Sequence, residues 1–165
     1  MELQKAQQEF IQSWGLLGSS WGINKAMAQI HALLLISPEA LSTEDIMEQL
    51  QISRGNANMN IRSLIDWGIV EKEHKIGERK EFFSTHKDIL TLARQVTRER
   101  RRREIEPLLK MLNAVQEVEK SNDAETKEFK KVTKDLLEFS NKVDGLLDKF
   151  SKTDKNWFYK MLLKL

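Results

Sequence analysis

Four side chains that could read nucleic-acid bases lie close together in the sequence: Arg54, Asn56, Asn58 and Met59. Asparagine amides can form bidentate hydrogen bonds with adenine, an arginine guanidinium can reach guanine or a phosphate, and a methionine can touch the thymine methyl group. They lie at the N-terminal end of residues 53–70, a segment whose pattern predicts a helix. The alternative is a core helix with an incidental polar face, and the segment alone leaves both interpretations open.

The predicted helix has two different faces at helical spacing. The apolar face is expected to pack in the core, and its members are Ala57, Ile61, Leu64 and Ile65. The other face lacks the Glu/Lys mixture of an ordinary solvated helix, and its members are Gly55, Asn56, Met59 and Ser63. This contrast favours a DNA recognition helix, in which Arg62 and Ser63 contact the phosphate backbone.

The residues before this helix predict a shorter helix that would position it. Ser42 can cap the N-terminus of that helix, and Asp45, three positions later, can return the hydrogen bond and complete a capping box. The short helix is expected to end at Leu50, with a tight turn at residues 51–52 and Ser53 as the next N-cap. Two helices joined in this way form the helix-turn-helix pattern.

The residues after the recognition helix predict a β-hairpin wing. Gly68 is expected to end the helix. Residues 69–74 are predicted to form the first strand, residues 75–79 the turn, and residues 80–84 the second strand. Three basic residues at the tip are placed to reach a phosphate backbone or an adjacent minor groove: Lys75, Arg79 and Lys80. Capped helix, turn, second helix and basic hairpin follow in the right order, which makes DNA binding the preferred interpretation.

Charge is distributed unevenly along the chain. Between Ser42 and Lys87 there are about seven Lys/Arg and about eight Asp/Glu by count from the sequence, so the predicted DNA-binding module is not basic overall, and its acids must lie away from DNA. Residues 94–103, by contrast, form an arginine-rich run. The ordinary interpretation is a solvated helix face. The functional interpretation is that Arg100, Arg101 and Arg102 supply the missing phosphate contacts.

The ends of the chain carry apolar stripes that a small winged domain could not cover, and these predict dimerisation. Residues 2–20 form an amphipathic helix, interrupted by glycines near its C-terminal end, and residues 129–150 form a sustained a/d seam. We expect dimerisation through Leu3, Phe10, Leu17, Phe129, Leu136, Phe139, Val143, Phe150 and Trp157. The predicted organisation is therefore an N-terminal dimerisation helix at 1–22, a winged helix-turn-helix domain at 23–87, and a C-terminal helical dimerisation region at 88–165.

Composition and the absence of known motifs exclude several classes of function. The chain has 165 residues and no cysteine, which rules out disulfides, thiolate metal sites and a cysteine nucleophile. The three histidines lack metal-ligand spacing, and no phosphate loop or nucleophile motif occurs. We therefore expect no enzyme activity, no metal and no cofactor. The most apolar run, residues 30–36, is too short to span a bilayer, so a cytoplasmic protein with no membrane partner is expected.

The tryptophans Trp14, Trp21 and Trp67 are expected mainly as core anchors. A second interpretation applies to Trp14 and Trp21, because tryptophans and carboxylates together can form a cage for a cationic ligand. The sequence leaves this alternative open.

The segments LSTEDIMEQLQISRGNANMNIRSLIDWGIV and KIGERKEFF resemble the MarR-like winged-helix transcription regulators, most closely their GbsR-type branch. The resemblance covers roughly residues 14–84. It implies a homodimeric bacterial repressor or activator that reads DNA with the helix containing Arg54, Asn56, Asn58 and Met59, and with Arg79 in the wing. Members of the branch are associated with genes for osmoprotectant uptake or synthesis, and some sense choline-like ligands.

The sequence therefore predicts a mainly α-helical winged helix-turn-helix protein with a two-stranded β-hairpin wing and long dimerisation helices at both ends. Its partners are expected to be double-stranded DNA and a second copy of itself. We expect a transcription regulator that acts as a repressor and binds a near-palindromic operator. The two recognition helices of the dimer should lie roughly 34 Å apart. An osmoprotectant-type effector follows from the resemblance alone. The alternative is a helical interaction adaptor that docks other proteins through the winged module and the C-terminal seam.

Overall fold

The computed structural model describes residues 1–118, 123–154 and 160. The chain divides into two compact units, Met1–Leu92 and Ala93–Leu165. The first unit includes the N-terminal helix together with the predicted winged domain, and the boundary lies a few residues after the predicted one at 87. The terminal segment 157–165 and its predicted dimerisation residue Trp157 lie outside the described residues, apart from Lys160.

The first unit begins with two packed helices, α1 (Leu3–Ser20) and α2 (Lys25–Ile36). Asn24 caps α2 as its side chain accepts hydrogen bonds from the backbone of Ala26 and Met27. The expectation that glycines interrupt α1 was wrong for Gly15 and Gly18, which lie inside the helix and are buried. A Cβ at Gly18 would lie 2.5 Å from the Ala28 side chain, so these glycines allow α2 to approach closely.

The helix-turn-helix follows as α3 (Thr43–Leu50) and α4 (Arg54–Asp66). The predicted capping box is confirmed, since the Asp45 N–H donates to Ser42 Oγ and the Ser42 N–H donates to the Asp45 carboxylate. Gln51 makes the turn in the left-handed region, with φ of 52°. Ser53 caps α4 as predicted, accepting a hydrogen bond from the Asn56 N–H.

The wing is part of a three-stranded antiparallel sheet with the strand order β1-β3-β2. Strands β2 (Val70–His74) and β3 (Glu81–Thr85) form the predicted hairpin, and Gly68 precedes it with a positive φ. The strand β1 (Leu41–Ser42) pairs with β3 and was not predicted. Two residues are too short for an alternating pattern to be visible in the sequence.

The core of this unit is built around α2, α3 and α4. Its fully buried large side chains include Ile30, Leu34, Ile46 and Leu64. The predicted apolar face of α4 is confirmed at Ala57, Ile61 and Leu64, which are all buried. Burial of this face fixes which side of α4 is exposed.

The second unit contains the end of α5 (Ile89–Arg100), a π-helical turn (Arg101–Ile105) and α6 (Glu106–Ala114). Pro107 lies in the first turn of α6. Proline has no N–H to donate to the carbonyl four residues earlier, which accounts for a change in the hydrogen-bond ladder directly before it. The backbone stays helical through this point, and a 3₁₀ turn (Val115–Glu117) follows α6.

The long helix α7 (Ala124–Lys152) completes the described part of the second unit. Asp123 caps it by accepting hydrogen bonds from the Thr126 backbone N–H and hydroxyl. It packs on the π-helical turn and on α6. The molecule is therefore mainly helical with a small sheet, arranged as a winged helix-turn-helix followed by a helical unit.

Candidate nucleic-acid interface

The N-terminal part of α4 is exposed where the sequence predicts base contacts. Arg54 has an exposed side chain, Met59 is 58% exposed, and Asn58 is exposed beside them. Gly55 is exposed as well, and a Cβ built on it would meet nothing within 4 Å. The fold therefore leaves this face of α4 open, while Ala57 and Ile61 anchor the opposite face.

Arg54 is held by an acidic side chain of the preceding helix. Its Nη2 lies 2.8 Å from Oε1 of Glu44, and both side chains are exposed to solvent. The hydrogen bond from Arg54 is the main reason that the pKa of Glu44 lies below its usual value. No local pattern pairs these residues, because they are ten positions apart on two helices.

Asn56 is held in place by hydrogen bonds from the buried side chain of Asn60, which is 2% exposed. The Asn60 amide donates to both the backbone oxygen and Oδ1 of Asn56, at 2.9 and 2.6 Å. This contact occupies one lone pair of the Asn56 oxygen and leaves its amide N–H groups available. Sequence reasoning missed Asn60, although an asparagine four residues after Asn56 and beside the apolar face was a usable signal.

The other two predicted contacts on α4 differ from each other. Arg62 is exposed and makes neither a hydrogen bond nor an ion pair with any residue in the described ranges. The Ser63 hydroxyl donates to the Met59 carbonyl, so it is already engaged within the helix. Arg62 therefore has the greater freedom to reach a phosphate.

The wing holds two exposed cations, Arg79 and Lys80, that make no hydrogen bond or ion pair within the described part of the chain. Lys75, the third predicted contact, lies 4.3 Å from the Phe82 ring centroid and 3.8 Å from Glu39. Gly77 turns the hairpin with φ of 85°. Two of the three predicted wing contacts are thus outside any ion pair with the described residues.

The arginines of residues 94–103 are engaged inside the second unit. Arg101 makes a bidentate contact with Asp144, Nε to Oδ1 at 2.6 Å, and its Nη1 lies 3.1 Å from Asp148. Arg102 and Arg103 both donate to the buried carboxylate of Glu99. Charge-assisted contacts of this kind hold a helical segment together.

The remaining arginines of that run also have described partners. Arg94 and Arg98 donate to the backbone oxygens of Thr153 and Ser151, and Arg100 pairs with Glu104. The contacts favour a structural role for the run. Phosphate binding by Arg100, Arg101 and Arg102 stays a prediction.

Titration shifts follow from these contacts. The hydrogen bond that Arg102 donates lowers the pKa of the Glu99 carboxyl, and the hydrogen bond that Asp144 accepts raises the pKa of Arg101. Both shifts favour the charged forms. The cluster is therefore expected to hold its ion pairs throughout the neutral pH range.

The predicted dimerisation residues are largely exposed in the single chain. Leu3 and Leu17 project from α1, while Phe10 is half-buried and its ring centroid lies 5.5 Å from that of Trp14. On α7 the exposed members are Phe129, Leu136 and Phe139, with Val132 and Leu146 also exposed and Val143 and Phe150 half-buried. No described residue covers these exposed members, and dimerisation through them stays a prediction.

The two candidate ligand tryptophans differ in environment. Trp14 is half-buried against Phe10, with His31 at 6.5 Å between ring centroids, whereas Trp21 is exposed at the end of α1. A cavity of about 500 Å³ lies between α1, α2 and the segment after α2, lined by Gln4, Gln7, Ile11 and Leu33 among others. Neither tryptophan lines it, and the cationic cage stays a prediction.

His31 is buried, and its Nε2 has no hydrogen-bond partner within the described residues. Burial, with a smaller contribution from Lys87, lowers its pKa to about 4. His31 is therefore neutral at pH 7. Within residues 1–118, 123–154 and 160, no three His, Asp or Glu side chains group as metal ligands.

No family model and no curated protein matches the chain, whereas one solved structure supports the fold. A solved structure described as a transcriptional regulator matches with a TM-score of 0.63 and 21% identity, covering 90% of this chain and 99% of its own. The adhesin competence repressor AdcR of Streptococcus pyogenes matches with a TM-score of 0.37 and 20% identity, over 87% of this chain and 99% of its own.

Among the described helices, none is long and apolar enough to cross a bilayer.

Proposed function

We propose that this winged helix-turn-helix protein is a sequence-specific DNA-binding transcription regulator that acts as a homodimer. The observation that carries the proposal is the exposed N-terminal face of α4, where Arg54, Asn58 and Met59 project from a helix whose other face is buried. Such a helix fits the major groove, which is wide enough to admit it. The fold shared with a solved transcriptional regulator supports the same function.

The chemistry of the face assigns roles to its members. Asn56 and Asn58 contact adenine, Arg54 contacts guanine, and Met59 packs against a thymine methyl group. Gly55 supports close approach of the backbone, because the space around its Cα is open.

The wing and Arg62 provide affinity rather than sequence information. Arg62, Arg79 and Lys80 are cations without a hydrogen bond or ion pair to the described residues, and each can neutralise a phosphate. Lys75 is a weaker candidate because it already contacts Phe82 and Glu39.

The homodimer explains the exposed apolar residues of α1 and α7. Side chains such as Leu3, Phe139 and Leu146 are each more than 60% exposed. Pairing two chains buries these stripes and presents two copies of α4, which favours a near-palindromic operator. Repression, and a response to an osmoprotectant-type ligand, rest on the resemblance to the GbsR-type branch.

Selection from duplexes with a randomised centre, using the full chain at low salt, tests the proposal. We expect a two-fold symmetric motif, which Asn58→Ala relaxes at one position of each half-site. Asn141→Ala, at an exposed asparagine of α7, is the matched control and should leave the motif unchanged. Failure of the wild-type chain to retain any duplex would refute the function.

The alternative is an adaptor that docks other proteins, and the exposed seam of α7 is what favours it. Sedimentation separates the two ideas. A regulator should be a stable dimer at micromolar concentration, whereas an adaptor with an unoccupied seam should be a monomer.

A further inference from the structure

We infer that Glu44 is a positioning residue for Arg54 and sets the base preference at the position that Arg54 reads. The inference rests on the proposed function. The carboxylate of Glu44, near the start of α3, accepts a hydrogen bond from Arg54, the first residue of α4. The two helices of the helix-turn-helix are therefore connected at the point where α4 faces the expected groove.

Stability alone does not explain this ion pair. The side chains of Arg54 and Glu44 are 60% and 42% exposed. Pairs this exposed contribute little to folding stability, because solvent screens their attraction. The contact also neutralises a cation in a module where acids slightly outnumber bases, so it lowers rather than raises the general attraction to DNA.

The geometry allows Arg54 to contact Glu44 and a base together. A guanidinium has five N–H donors in a rigid plane, and the 2.8 Å contact from Nη2 to Glu44 uses one of them. The remaining donors suffice for the O6 and N7 acceptors of guanine. Holding the plane in one orientation before binding reduces the side-chain entropy that is lost when the base is bound.

The negative charge of Glu44 adds a second effect. A carboxylate beside Arg54 repels phosphate and therefore disfavours contact between Arg54 and the DNA backbone. A contact with the backbone would carry no sequence information. Lys80 of the wing is among the charges that lower the pKa of Glu44, which places a basic wing residue near the same carboxylate. Glu44 is thus expected to favour base contact over backbone contact.

A second exposed ion pair in the same unit offers a matched control. Lys72 Nζ lies 2.7 Å from Glu81 Oε1, with side chains 42% and 52% exposed. It joins the two wing strands and does not involve α4. Glu81→Gln therefore removes the same charge from a similar pair without freeing Arg54.

The test is selection from a randomised duplex library, followed by titration of the selected motif and of single-base variants. We expect Glu44→Gln to reduce the preference for guanine at one position of each half-site by about three- to tenfold, while binding to random duplex is unchanged or tighter. Glu81→Gln should tighten both kinds of binding equally. The melting temperatures of both variants should stay close to that of the wild type.

A double-mutant cycle checks that Glu44 acts through Arg54. Arg54→Lys keeps the charge but removes the planar fork, so it should lose the guanine preference by itself. Adding Glu44→Gln to Arg54→Lys should then change the preference no further.

Three results would overturn the inference. An unchanged guanine preference in Glu44→Gln removes the positioning role while the proposed function stands. A further decrease of the preference in the double variant shows that Glu44 acts independently of Arg54. A wild-type chain that selects no sequence refutes the proposed function itself, and this inference with it.

Discussion

The arginine-rich run and the cations of the winged unit differ in whether their charges already have partners, and the sequence alone does not show this difference. The arginines of residues 94–103 are the densest basic run in the chain, yet each of them has a hydrogen-bond or ion-pair partner in the second unit. The cations of the winged unit are sparse, but Arg62, Arg79 and Lys80 make no such contact with described residues. Available charge, rather than the density of charge, is what a phosphate backbone can use.

The largest effect is expected from removing the available charge. Changing Arg62, Arg79 and Lys80 together to alanine should weaken binding to the selected operator by on the order of a hundredfold at moderate salt, because phosphate contacts dominate affinity. The slope of log affinity against log salt should fall by about 0.9 for each phosphate that is no longer neutralised. Fluorescence anisotropy over a range of salt concentrations measures both quantities.

A matched triple variant controls for the change in net charge. Lys131, Lys142 and Lys149 are exposed on α7, and their change to alanine should leave the salt slope nearly unchanged. An equal reduction of the slope in the two triple variants would contradict the distinction between available and engaged charge.

The next effect concerns Arg101, the best-connected member of the arginine run. Arg101→Met keeps the bulk of the side chain but leaves Asp144, which is 19% exposed, without its cation, while Asp148 keeps its ion pair with Lys152. We expect the free energy of unfolding to fall by about 1–3 kcal/mol. Urea denaturation followed by circular dichroism measures the change.

The DNA affinity of Arg101→Met shows which interpretation of the run is right. Under conditions where the variant is folded, the salt slope of operator binding should equal that of the wild type. A slope reduced by about 0.9 per chain would instead favour a phosphate contact for Arg101.

A smaller effect concerns the buried carboxylate of Glu99. Its pKa is lowered chiefly by Arg102, so its folded pKa lies below its unfolded value near 4.3. Its stabilising contribution is therefore present above about pH 4.3 and is lost as the pH falls through the folded pKa. Glu99→Gln should flatten the decline of stability below about pH 4.3, measured by denaturation at several pH values. An identical acid profile in the variant would show that Glu99 does not contribute.

Local signals were readable from the sequence because they need only neighbouring residues. The capping box of Ser42 and Asp45, the Ser53 cap and the Gly68 stop each depend on a few adjacent positions, and all of them occur in the structure. The exposed face of α4 followed from helical spacing alone. This part of the candidate site could therefore be predicted.

Contacts between distant residues could not be read in the same way. Arg101 and Asp144 are 43 positions apart, and no pattern in either segment specifies that they meet. The roles of Gly15 and Gly18 likewise depend on α2 packing against α1, so the sequence indicated a break where the structure has a close approach. The charge count indicates only that the acids of the winged module should lie away from DNA, whereas the fold brings Glu44 to Arg54.

The smallest effect is expected from Gly55 on α4. Gly55→Ala should stabilise the fold by about 0.5 kcal/mol, because alanine is the better helix former and the added methyl meets no atom of the chain within 4 Å. Gly145→Ala on α7 has equally open space and should stabilise to a similar degree. Only Gly55→Ala should weaken operator binding, since its methyl group would lie between α4 and the DNA. Tighter binding by both variants in proportion to their stability would mean that α4 does not approach DNA at Gly55.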